Sequence, residues 1–62
     1  MKNNFYYIVH NNGHIIWVYT TCAAALMELT ALWAAGKCGL NIVHNGAILY
    51  SLTQNGIEKV GA

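Results

Sequence analysis

The sequence predicts an α+β fold in the order β-β-α-β-β, an antiparallel sheet of two hairpins with one helix packed on one face. Three observations carry that reading: Asn-Gly turns set between β-branched and aromatic runs, a central segment rich in Ala and Leu, and a repeat relating the two flanks. In the repeat, Ile8-Val9-His10-Asn11-Asn12-Gly13-His14-Ile15-Ile16-Trp17 aligns with Ile42-Val43-His44-Asn45-Gly46-Ala47-Ile48-Leu49-Tyr50 once one Asn is skipped. The repeated hairpins cover 5–20 and 40–53 and flank a helix over 21–36, all within one compact domain, 1–62.

The first hairpin turns at Asn11-Asn12-Gly13, read as a three-residue loop with Gly13 left-handed, so that His10 faces His14. Val9 then meets Ile15, Tyr7 meets Trp17 and Phe5 meets Tyr19. The helix follows, because Thr21 to Gly36 contains good helix formers with no Pro and no internal Gly. Thr20 or Thr21 is placed to cap its N-terminus, and Gly36 to end it. The second hairpin turns at Asn45-Gly46, pairing His44 with Ala47 and Val43 with Ile48. A further Asn55-Gly56 separates Tyr50–Thr53 from a short fifth strand beginning at Ile57.

Strict alternation from these turns puts Phe5, Tyr7, Val9, Ile15, Trp17, Tyr19 and Tyr50 on one side of the sheet. Tyr6, Ile8, Ile16, Val18, Leu40, Ile42 and Leu49 take the other side, with all three histidines. Both sides are apolar, and one helix covers only one of them. The helix is itself apolar nearly all round, with Cys22, Leu26, Leu29 and Trp33 on one stripe and Ala23, Met27, Ala31 and Ala34 on another. Such a helix is expected to be buried on more than one side.

Composition narrows the function. The chain has 62 residues, 56% of them hydrophobic and only 8% charged, with net charge +1 and mean hydropathy +0.38. Disordered chains are polar and charge-rich, so this one is expected to fold, with the marginal core of a small domain. There is no Arg and no Asp, and the lysines Lys2, Lys37 and Lys59 are scattered. Phosphate neutralisation and bidentate base contacts are therefore missing, which argues against DNA binding. The aromatic face could stack single-stranded bases, but that mode needs a cationic groove. Glu28 and Glu58 lie far apart, Ser51 is the only serine, and no phosphate-binding glycine loop occurs. The expectation is a protein that is not an enzyme and needs no cofactor.

Two other features invite chemistry. His10, His14 and His44 sit at hairpin ends and could form an open zinc site if the two tips converged. Cys22 and Cys38 bracket the helix, whose ends stand roughly 20 Å apart at about 1.5 Å per residue, beyond disulfide reach. They are expected to be free thiols in a reducing compartment, here the cytoplasm. The run from Ile15 to Ala35 carries one formal charge and is long enough for a single membrane span. The change of composition at Thr21 argues instead for a strand followed by a helix, which makes a membrane location the lesser alternative.

The expected function is binding to protein. A 62-residue monomer cannot cover a two-faced sheet and an all-round apolar helix. Self-association follows, most simply a dimer, with Phe5, Tyr7, Trp17, Tyr19 and Tyr50 as aromatic anchors. The reading extends to an inhibitor or accessory factor of the kind phage and mobile elements encode, acting on a host protein.

Overall fold

The β-branched and aromatic runs form strands and the Ala/Leu-rich run forms a helix, as their composition dictates. The computed structural model describes residues 4–60. Its elements are β1 (Tyr6–His10), β2 (Ile15–Tyr19), α1 (Cys22–Ala34), β3 (Leu40–His44), β4 (Ala47–Thr53) and β5 (Gly56–Lys59). The strands make one antiparallel sheet in the order β2-β1-β3-β4-β5. The α+β class and the β-β-α-β-β order read from the sequence are those observed, and the fifth strand is present.

The turns have the predicted chemistry. Gly13 has φ 91°, its amide donates to the His10 carbonyl at 2.8 Å, and the His10 amide donates to the His14 carbonyl at 2.7 Å. At the second tip Asn45 and Gly46 both have positive φ, 51° and 79°, which is the two-residue turn matched to strand twist. The third turn differs by one position: Gln54 and Asn55 lie between the paired residues Thr53 and Gly56. Gly56 therefore opens β5.

Helix α1 begins where the Thr21 hydroxyl accepts the Ala24 amide at 3.1 Å. It ends in a Schellman arrangement. The Gly36 amide donates to the Trp33 carbonyl and the Lys37 amide to the Leu32 carbonyl, both at 2.9 Å, with Gly36 at φ 80°. Ala25 and Leu29 are fully buried, with Leu26 and Leu32 packed beside them. The stripe of Ala23, Met27, Ala31 and Ala34 faces outward, and Trp33 is on the exposed side too.

The repeat is carried into the register. In the first hairpin Ile8 pairs with Trp17 and Val9 with Ile15, leaving Ile16 as the extra residue of a bulge. In the second, Ile42 pairs with Tyr50 and Val43 with Ile48, leaving Leu49 extra. These are the aligned positions of the repeat. The copies also meet symmetrically, since β1 and β3 run antiparallel with Ile8 opposite Ile42, Tyr7 opposite Val43 and Val9 opposite Asn41. An approximate twofold axis normal to the sheet thus passes between Ile8 and Ile42.

The bulges overturn the predicted face assignment. Strict alternation pairs Tyr7 with Trp17 and Phe5 with Tyr19, whereas Tyr7 pairs with Val18 and Tyr6 with Tyr19. An extra residue in one strand reverses the facing of everything beyond it. Directly opposed residues share a face, so Trp17, Tyr19 and Tyr50 join Ile8 and Ile42 on the helix side. Val18 moves to the open side with Tyr7.

The core is Ile8, Ala25, Leu29, Leu40, Ile42 and Leu52, with Tyr6, Tyr19, Tyr50 and Ile57 packed around it. Fully burying an aliphatic side chain of this size is worth about 1.5–3 kcal/mol. Ile8 and Ile42 are both 0% exposed and occupy equivalent places. Ile8→Ala and Ile42→Ala are therefore each expected to cost about 2–5 kcal/mol and to match closely in urea denaturation. A large difference between them would contradict the equivalence.

Candidate interaction surface

The open side of the sheet divides into two regions. Over β3, β4 and β5 it is polar. The Asn41 amide donates to Asn11 Oδ1 at 2.9 Å, the Ser51 hydroxyl to Asn41 Oδ1 at 2.7 Å, and the Thr53 hydroxyl to Glu58 Oε2 at 3.1 Å. Over β1, β2 and the tip of the second hairpin it is apolar. There the register gathers Tyr7, Val9, Ile15, Val18, Val43 and Ile48, and Phe5 meets Tyr7 edge to face at 6.5 Å between ring centres.

That apolar region runs on over the edge of the sheet. Ile15, Ile16, Trp17 and Val18 are all exposed, Trp17 at 62%, and together they line a shallow depression of about 340 Å³ along β2. No charged residue occurs within Ile15–Tyr19. Natural edge strands usually carry a charge or a proline that discourages pairing. The opposite edge has that protection: β5 is four residues long and exposes Glu58 and Lys59.

The five aromatic anchors named from the sequence are thus divided. Phe5 and Tyr7 lie on the open side. Tyr19 and Tyr50 pack against the core under the helix, and Trp17 stands exposed at the β2 edge. Ile16 and Val18 share the exposed edge with Trp17, although alternation alone set both on the side of the sheet opposite Trp17. The outward side of α1 adds Met27, 74% exposed, and Trp33. Met27 belongs to the stripe of Ala23, Ala31 and Ala34, which marks it as outward, whereas Trp33 has the helical spacing of Leu26 and Leu29 and its exposure departs from the stripe read from the sequence.

Comparison with protein-family models, curated proteins and solved structures finds no match for the chain. Its chemistry has to be read from its own side chains.

The histidines do not converge. Because β1 and β3 run antiparallel, His10 and His14 flank one tip while His44 lies at the other end of the sheet. Among the described residues no group of three His, Cys, Asp or Glu is placed to hold a metal. His44 instead has a structural part. Its ring stacks on Tyr6 at 4.0 Å, with Nδ1 2.9 Å from the Phe5 carbonyl and Nε2 3.2 Å from the Asn45 amide nitrogen. A carbonyl only accepts, so Nδ1 carries a proton and donates. Cys22 and Cys38 are both free thiols, Cys38 exposed. Cys38 borders a cleft of about 240 Å³ with His10, Ile16, Leu32, Lys37 and Leu40. That is below the roughly 300–1,000 Å³ usual for small-molecule sites.

The span from Ile15 to Ala35 is two elements. It breaks at Thr20-Thr21 into β2 and the 13-residue helix α1, because Thr21 caps the helix and the β-branched run before it pairs with β1. Among the described residues no helix is long and apolar enough to cross a membrane.

Where β2 meets the helix, burial raises the Tyr19 hydroxyl above its ordinary 10.0, and the Glu28 carboxylate adds to this by accepting its hydrogen bond and by its charge. The folded state therefore holds this proton more tightly than the unfolded chain does. As pH climbs through the ordinary tyrosine value the unfolded state deprotonates first, and stability falls. Melting temperature followed from about pH 8 to about pH 11 should decline more steeply for the native chain than for Tyr19→Phe. Equal slopes would remove this assignment.

Proposed function

We propose that this protein is a non-catalytic protein-interaction module that self-associates, most simply as a dimer, through the apolar surface around β2. The observation that carries the proposal is an uncharged edge strand with four exposed large apolar side chains, Ile15, Ile16, Trp17 and Val18. Contiguous apolar surface of this kind on a small soluble domain marks a contact site. A central exposed Trp is the residue type that most often anchors one.

Charge supports a protein partner over the alternatives. With net charge +1 and no Arg the chain offers no field for nucleic acid, and two copies repel each other little. Self-association at β2 leaves Met27 and Trp33 on the back of α1 as the surface a different protein would meet. Free Cys22 and Cys38 suit a reducing compartment, and we place the protein in the cytoplasm.

Size-exclusion chromatography with light scattering, without detergent, tests the proposal. The native chain is expected at twice its 6.8 kDa mass. Trp17→Glu is expected to elute as a monomer with unchanged far-UV circular dichroism, since Trp17 contributes little to the core. A native chain that is monomeric at every concentration would refute self-association.

A further inference from the structure

The outer edge of β2 has a counterpart within the same molecule. Under the repeat, Trp17, Val18, Tyr19 and Thr20 correspond to Tyr50, Ser51, Leu52 and Thr53, and each run follows a bulge at the aligned position. The outer edge of the second run is occupied: Tyr50, Ser51, Leu52 and Thr53 pair with Lys59, Glu58, Ile57 and Gly56 of β5. The outer edge of the first has no strand beside it among the described residues. A bulge bends a strand and often discourages pairing at an edge. Here the equivalent bulge in β4 leaves the four residues beyond it fully able to hold an antiparallel neighbour.

We infer that β2 pairs antiparallel with β2 of a second copy, centred on Val18 opposite the partner's Val18. The inference rests on the self-association proposed above and supplies its geometry. Face matching selects the centre. Opposed residues in an antiparallel ladder share a face, and Trp17, Val18 and Tyr19 alternate helix side, open side, helix side. A centre at Val18 sets Trp17 against the partner's Tyr19 on the helix side, twice by symmetry. A centre at Trp17 would set the bulge residue Ile16 against the partner's Val18, on opposite faces.

The occupant follows from self-complementarity and closure. Every residue in the pairing segment is uncharged, so a second β2 meets no like charge and leaves no buried ion unpaired. The twofold axis runs normal to the sheet, as the internal one between Ile8 and Ile42 does, so both helices lie on one side of a joined sheet. Its outer strands are then the two copies of β5, with Glu58 and Lys59 exposed. Those charged ends stop further addition, and the assembly closes as a dimer instead of growing into a fibre.

Amide hydrogen exchange of the native chain, resolved by residue and measured across a range of protein concentrations, tests the pairing. Amides within Trp17–Tyr19 are expected to slow by roughly tenfold or more as the dimer fills, while those of β5 stay constant. Val18→Cys with Cys22 and Cys38 replaced by serine is expected to form a symmetric disulfide on mild oxidation. The corresponding Ile48→Cys chain is expected not to. A dimer whose Trp17–Tyr19 amides show no concentration dependence would overturn the edge pairing and leave self-association standing. A monomer at all concentrations would overturn both.

Discussion

The antiparallel pair of Ile8 and Ile42 is the contact from which the rest of the molecule is arranged. Both side chains are fully buried, and each comes from the same position of a repeated hairpin. Their pairing fixes the β1–β3 register, and the register fixes which face of each hairpin receives α1. The helix lies over this centre with Ala25 and Leu29, the small residue allowing close approach and the large one filling the space. Stability in so short a chain depends on having little else to bury. Losing one of these two isoleucines takes away a substantial part of the core.

The same arrangement explains why binding surface is left at one edge. Two hairpins paired through their first strands put their second strands, β2 and β4, on the outside. The chain after β4 turns back as β5 and covers that edge, bringing Glu58 and Lys59 with it. The chain after β2 instead enters the helix at the Thr21 cap, so among the described residues no strand covers the first edge. Helix α1 is thus the connection that breaks the symmetry of the repeat and leaves β2 exposed. The apolar character of Ile15–Trp17 is the repeat's own pattern, for the aligned Ile48, Leu49 and Tyr50 are equally apolar, with Ile48 on the open side and Tyr50 paired with β5 and packed against the core.

Much of this was legible in the sequence. Asn-Gly turns, a Thr cap and a glycine stop each have a local physical cause, so the hairpins, the helix bounds and the element order could be read without the fold. The repeat was visible as aligned residues, although its twofold meeting at Ile8 and Ile42 was not, since strand order is a tertiary choice. The bulges at Ile16 and Leu49 were illegible for a related reason. No Gly or polar residue marks them, and alternation carried past them sends Trp17, Tyr19 and Tyr50 to the wrong side. The repeat requires only that the two hairpins share one register, and that is met with or without a bulge in each. The aromatic face anticipated from the sequence consequently became an aromatic edge with two tyrosines in the core.

A sample in which isotope-labelled and unlabelled chains are mixed, with nuclear Overhauser effects filtered for contacts between them, addresses the central claim most directly. The account predicts intermolecular contacts between the Trp17 indole of one chain and the Tyr19 ring of the other, with Val18 methyl contacts on the opposite side of the sheet. Intermolecular contacts confined to Phe5 and Tyr7, or to Met27 and Trp33 on the back of α1, would contradict it.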